Sequence, residues 1–271
     1  MAQIRFSFFK FLRLALLTGL AVFFTVVQTP QALLAKGIPQ RWETKEYQPP
    51  GDIGAPTRVL GGGTRSSGSS CPIVGKPLKA LIPSNGFGVT VAAYPAFFVY
   101  MPALSLQTSP LVQFVLEDKQ GNNIYTSTFK TSGTPGIMTI SLPSQGGLSP
   151  MEVGKDYKWY FSLMCQPDER SQDITVEGWV RRVEPSPVLK TQLMQASLQQ
   201  QVELYAESEI WHDALATLAQ LRRNNLNDPA VANTWANLLR AAGLDDLAQE
   251  LLMPIPSTAR RPLPSLPSSL R

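Results

Sequence analysis

The sequence predicts an α+β protein: a disulfide-linked, immunoglobulin-like antiparallel β-sandwich followed by a C-terminal helical hairpin module of tetratricopeptide-like character. Three observations carry this reading. Short β-branched and aromatic runs separated by Pro, Gly and Asn clusters recur from Cys71 to about Val183. Beyond Pro185-Ser186-Pro187 the apolar period changes from two to about 3.6. The chain's two cysteines, Cys71 and Cys165, lie near the two ends of the β-rich stretch.

The first 35 residues read as an address. Arg5, Lys10 and Arg13 stand in a stretch without acids, an apolar run covers Leu14 to Val27, and Pro30 and the small residue Ala35 follow. That is the order of a secretory signal peptide. Cleavage after Ala35 places Leu33 at the −3 position, where smaller residues are commoner. The run falls short of the ~20 residues that span a bilayer, so membrane contact is expected only through this segment if it stays uncleaved. Residues 36–70 carry Gly61-Gly62-Gly63 and Ser66-Ser67-Gly68-Ser69-Ser70 and read as a flexible linker. Gly75-Lys76 is no phosphate loop, because Ser70 stands where the first glycine belongs and Pro77 where Ser or Thr belongs.

Residues 71–187 form the predicted sandwich. Strands are expected near Leu78–Ile82, Gly88–Ala92, Ala96–Tyr100, Val112–Glu117, Ile124–Phe129, Ile137–Leu142, Tyr157–Cys165 and Ile174–Val183. The polar turn Asp118–Asn123 joins two of them into a hairpin. Tyr157, Trp159, Phe161, Leu163 and Cys165 share one face at period two and supply core. Leu148-Ser149-Pro150 ahead of Tyr157 resembles a tyrosine corner, in which the phenol bonds backbone at the bend. In an oxidising compartment Cys71 and Cys165 have each other as their one possible partner. The bond closes a loop of about 95 residues, worth up to ~4.7 kcal/mol in the chain-entropy account.

Residues 188–253 form the predicted helical module, net acidic in charge. Leu189, Leu193, Leu198, Val202 and Tyr205 mark one amphipathic helix. Ser208 is read as the cap of the next, with the stripe Trp211, Leu215, Leu218 and Leu221. Asp228-Pro229 starts a third helix and Gly243 ends it. A short fourth covers Leu244 to Leu252. Ala214 and Ala248, like Tyr205 and Leu239, are separated by the tetratricopeptide period of about 34 residues, although the Trp235 register is imperfect. Residues 254–271 read as a disordered Pro-rich tail. Its Arg261, Pro264 and Pro267 fit an SH3-ligand spacing, but a solvated tail is the plainer reading in an exported chain.

Composition narrows the chemistry. One histidine and two distant cysteines cannot supply a Cys/His zinc set. With the three basic residues of the leader set aside, the chain is near neutral, and so lacks the bulk pull on phosphate that nucleic-acid binding needs. No catalytic, cofactor-binding or metal-binding set is read. His212 is read as a helix-surface or interhelical residue. The acidic loop Asp168, Glu169, Arg170, Ser171 and Asp173 is read as a solvated turn in which Arg170 pairs with an acid. Glu177, Trp179 and Arg181 share one strand face and, with Trp211 and Trp235, form the candidate ligand or partner surface. Of the two readings of that strand face, packing of the helical region with Trp179 as a buried anchor beneath it is the favoured one, because the helices need an apolar surface to dock on.

Several segments resemble a known family. Cys71-Pro72, the run Tyr94 to Pro102, Gly136-Ile137, Tyr157 to Phe161, Cys165 to Ser171, Val176 to Arg182 and Trp211 to Leu215 are together similar to the cyanobacterial "domain of unknown function 928" family of exported proteins. The resemblance covers about residues 58–252. It implies a cyanobacterial envelope setting, in which the periplasm, cell surface or thylakoid lumen is reachable, and no activity or cofactor. The expected function is a non-catalytic interaction or assembly module with an envelope protein as partner. A carbohydrate-binding sandwich, or a carboxylate-based hydrolase using Asp168, Glu169 and Asp173, stands as the alternative.

Overall fold

A computed structural model describes residues 38–39, 73–104, 110–166 and 169–254, all within one compact unit spanning 35–271. The expected signal peptide, nearly all of the linker and tail, Cys71 and Asp168 lie outside the described residues. No described helix is long and apolar enough to cross a membrane.

The strands are β1 (Ile73–Val74), β2 (Lys79–Ala80), β3 (Phe87–Thr90), β4 (Ala96–Met101), β5 (Ala103–Leu104), β6 (Leu111–Asp118), β7 (Asn123–Lys130), β8 (Gly136–Ser141), β9 (Asp156–Met164) and β10 (Ile174–Arg182). All eight expected strands form. The two-residue pair β1–β5 has no alternation long enough to read from sequence. Five strands make one sheet in the order β3-β10-β9-β6-β7, and three make another in the order β2-β4-β8. The expected β6–β7 hairpin closes through Asp118, whose carboxylate accepts from the backbone N–H groups of Gln120 and Asn122 at 2.9 and 2.8 Å.

One pairing departs from the expected all-antiparallel sandwich: β3 runs parallel to β10. No hairpin joins these strands. β3 leaves for the three-stranded sheet and β10 for the helices, so nothing forces their directions to oppose.

The two sheets face each other across a shared core. Val112, Phe114 and Leu116 of β6, Trp159 and Phe161 of β9 and Val176 of β10 meet Phe97 and Val99 of β4 and Met138 of β8. Phe97 sits 5.0 Å from Phe114 and 5.4 Å from Trp159, centroid to centroid. Gly178 makes room for this packing, because a Cβ there would lie 2.8 Å from the Trp159 ring and 2.7 Å from Ile82. The Tyr157 hydroxyl accepts from the Glu152 N–H at 2.9 Å, the backbone bond expected at the bend.

The helices are α1 (Pro187–Gln195), α2 (Leu198–Glu207), α3 (Trp211–Asn224) and α4 (Pro229–Ala241). The single helix expected from Leu189 to Tyr205 is two. Ser197 and Gln200 form a reciprocal capping box, and Ala196 is extended, so a new helix starts where the first stops. The five-residue step from Leu193 to Leu198, too long for one face, was the signal.

Ser208 terminates α2 instead of capping α3, whose N-cap is Ile210. Glu209 takes φ 57° there, and Ile210 N–H returns to Tyr205 O at 2.9 Å, reversing the chain in one step. Asp228 caps α4 as expected, accepting from Ala230 N–H at 2.8 Å. Gly243, at φ 74°, ends it in a Schellman arrangement, with Leu244 N–H to Leu239 O at 2.8 Å and Gly243 N–H to Arg240 O at 3.0 Å. The helix expected over 244–252 shrinks to a 3-10 turn at Asp245–Leu247. The chain then lies along β8, with Ile137 N–H to Leu251 O at 2.7 Å and Met253 N–H to Ile137 O at 2.8 Å. Backbone pairing with a sheet edge outcompetes a helix too short to stabilise itself.

The helices cover the far face of the three-stranded sheet. Leu81, Phe98, Tyr100 and Ile137 join Val202, Trp211, Leu215, Leu218, Trp235, Leu238 and Leu239 in a second core. The described residues therefore form three layers, with the β2-β4-β8 sheet in the middle. β4 is buried on both faces, which explains why Ala96–Met101 is an uninterrupted apolar run.

Gly178→Ala inserts a methyl into the Trp159 contact and should destabilise the protein by about 1–3 kcal/mol. Denaturant unfolding measures this; an unchanged midpoint would show that the contact yields freely.

Candidate functional site

The five residues read as a ligand or partner surface do not converge. Trp211 and Trp235 are fully buried, and Trp179 is 2% exposed. None presents an exposed ring, so they do not form the surface read from sequence. Trp indoles recurring at helical spacing were core, because the middle sheet needs large apolar partners. Trp235 lies in the helical core, with the Arg222 guanidinium 4.9 Å from its ring. Trp179 packs on Phe87 on the outer face of the five-stranded sheet and is no anchor beneath the helices, which dock on the middle sheet.

Glu177, Trp179 and Arg181 do share one face of β10, but its charges are engaged within the chain. Arg181 forks onto Asp156 at 2.7 and 2.8 Å. Lys158 lies 3.3 Å from Glu177, and its ammonium sits 5.7 Å from the Trp179 ring and 5.0 Å from Tyr160. This is a packed strip of paired charge around an enclosed indole, which cannot stack on a sugar.

The acidic loop is a turn, as expected. Arg170 pairs with Asp173 and donates to Gln113 Oε1 at 3.0 Å, and Glu169 accepts from Ser171 at 3.2 Å. No group of three or more metal-ligating side chains occurs among the described residues. Cys165, directly after β9, packs against the sandwich core.

The first turn of α3 is where the helices lock to the sheets. Three consecutive side chains reach three different backbone segments. Trp211 Nε1–H donates to Leu81 O at 3.0 Å. The Asp213 carboxylate accepts from Thr90 Oγ1 at 2.7 Å and from Val91 N–H at 3.1 Å. His212 lies 2% exposed with Nδ1 3.2 Å from Ala96 O, an acceptor, so Nδ1 bears the proton. A Cβ on Gly88 would strike the His212 ring, which also meets Phe97 edge-on at 5.1 Å. The histidine read as a helix-surface or interhelical residue is instead buried against the strands. Sequence placed it about 100° from Trp211 but could not show that two strands wrap this turn.

Burial sets the electrostatics of this lock. Desolvation pushes the His212 imidazole down to about 4, and the bond to Ala96 opposes it only in part. Desolvation pushes the Asp213 carboxyl up to about 6 against the hydrogen bonds from Thr90 and Val91. The imidazole is neutral over the physiological range, and it has no hydrogen-bond partner at Nε2. This geometry orders a junction and offers no acid–base pair.

Two open cavities lie on the helical side. One, of about 460 Å³, sits where β10 leads into α1 and is bordered by Arg181, Glu184 and the α2–α3 turn at Glu209. The other, of about 400 Å³, lies between α2 and α4 and is lined by Glu203, Thr234, Asn237 and Arg240, with Ile38 and Pro39 against it. This second groove was missed in sequence, because its α4 residues read as an ordinary polar helix face.

The His212 and Asp213 effects oppose each other. The raised Asp213 pKa stabilises the fold at low pH, and that contribution is lost as pH rises through about 6. The lowered His212 pKa gives stability present above the unfolded value of about 6.5, lost as pH falls through about 4. Between these limits the two slopes largely cancel. Relative to the unsubstituted chain, Asp213→Asn should therefore make stability rise with pH from 4 to 6, and His212→Gln should make it fall. Each slope reaches up to about 1.4 kcal/mol per pH unit. Chemical denaturation at a series of pH values reads both signs; equal slopes in the three proteins would remove the premise.

No curated protein matches the chain. A family model described as Domain of Unknown Function (DUF928) matches residues 60–252, which span the sandwich, the lock at Trp211-His212-Asp213 and the end of the helical layer. On that match the chain belongs to the DUF928 family.

Proposed function

We propose that this protein is an exported, non-catalytic interaction or assembly module of the cell envelope, and that its helical layer is the part that binds. The observation that carries this reading is the open groove between α2 and α4. α3 fastens the helices to the strands, while among the described residues the groove keeps an unengaged carboxylate, Glu203, and the unengaged amide N–H₂ of Asn237 beside the Arg240 guanidinium. Polar groups at a concave surface with few intramolecular partners are what a protein ligand can use.

The finer assignments belong to the same proposal. Residues 1–35 direct export and are removed after Ala35, and the setting is a cyanobacterial periplasm, cell surface or thylakoid lumen. Cys71 is the partner of Cys165, the one other cysteine in the chain. The Tyr157–Glu152 bond supports an immunoglobulin-like sandwich. The sequential helix pairs support a tetratricopeptide-like module.

Deleting the helices is a poor test, because it strips one face of the middle sheet. Point substitution is cleaner. In-cell crosslinking and co-purification of the tagged protein should capture an envelope protein, and Glu203→Arg should abolish capture at unchanged melting temperature. Failure to capture any protein would sink the adaptor reading. Labelling the unfolded, unreduced mature protein should find no free thiol, whereas two labelled cysteines would refute the disulfide.

A further inference from the structure

The α2–α4 groove already holds a piece of chain. Ile38 packs on the apolar cluster formed by the helices and the middle sheet, and Pro39 lines the cavity beside it. These two residues stand 35 positions before the first strand, β1 at Ile73–Val74, yet they reach the opposite end of the sequence, at α4. The contact is specific in kind: a β-branched apolar side chain followed by a residue with no N–H. The proline disfavours helix at Ile38, and the chain bends there.

The surrounding groups match such a segment. Thr234 and Asn237 are one turn apart on α4. The Thr234 hydroxyl donates back to Ala230 O at 2.9 Å, so it gives the wall a methyl. Arg240 Nη1 holds Asn237 Oδ1 at 2.8 Å, which leaves the amide N–H₂ to donate to a backbone carbonyl. Glu203 on α2 supplies a carboxylate with no cation paired to it among the described residues.

We propose that the α2–α4 groove is a recognition site for a peptide segment carrying a β-branched apolar residue followed by a proline, and that Ile38–Pro39 of this chain is its resident occupant. The inference rests on the helical layer being the binding part and names what it binds. A tethered occupant acts at an effective concentration on the order of millimolar. A partner segment carrying the same pair must therefore compete with it.

The test is fluorescence anisotropy with a labelled peptide of residues 36–42 and the purified protein. The Ile38→Asp protein, its seat vacated, should bind the peptide at least ten-fold more tightly than the unsubstituted protein. Adding Thr234→Arg to Ile38→Asp should remove that binding, and a peptide carrying Ile38→Asp should bind neither protein. Melting temperatures of the variants establish that they are folded. Equal binding to the two proteins, no binding to either, or binding unaffected by Thr234→Arg overturns the assignment. The outcome separates from that of the adaptor reading: envelope capture without peptide binding refutes this occupant alone, and peptide binding without envelope capture refutes the adaptor alone.

Discussion

The middle sheet can exist only between two partners. β4 alternates Phe97, Val99 and Met101 toward the five-stranded sheet with Phe98 and Tyr100 toward the helices, and both sets are buried. A strand with apolar side chains on both faces cannot leave either in water, at roughly 25 cal/mol for each Å² of apolar surface exposed. The sandwich and the helices, distinct by periodicity, are therefore energetically joined. The Trp211-His212-Asp213 turn fixes the register of that join with hydrogen bonds to three separate backbone segments. Apolar contact alone is non-directional and would not select one docking angle.

This arrangement explains why the conspicuous residues of the sequence are not its open surface. The four described tryptophans and the histidine are buried, filling and orienting the layers. Among the described residues of the groove, the groups left unengaged are ordinary ones, the Glu203 carboxylate and the Asn237 N–H₂, on helices whose composition draws no notice. The chain's one imidazole is buried, its Nδ1–H donating to the Ala96 carbonyl, and lies beyond the reach of solvent.

How much of this was legible follows from how local each signal is. The eight expected strands, the Asp228 cap and the Gly243 stop are written in alternation and turn chemistry within a few residues, and they were readable. The break at Ser197 was also local, but the helical spacing on either side masked it. The parallel β3–β10 pair, the return of residues 251–253 to β8, and the burial of Trp179 and His212 depend on which distant segments meet. Apolar pattern states that a side chain will be covered, not by what. The same limit hid the α2–α4 groove, since Ile38 and α4 have no relation in sequence that would bring them together.

The parallel pairing of β3 with β10 also bears on how the molecule is made. Phe87 aligns with Trp179, and Arg182 with Thr90, so partners stand some ninety positions apart. A ribosome delivers β3 long before its neighbour exists. The strands between them can collapse in any order, but this edge of the sheet cannot close until nearly the whole sandwich has emerged. Pairings of such long range slow folding, because closing the loop costs entropy before any contact compensates. Through that interval Phe87 and the β3 backbone are exposed to other chains, so nascent protein has a window of vulnerability to aggregation that ends only with the arrival of β10.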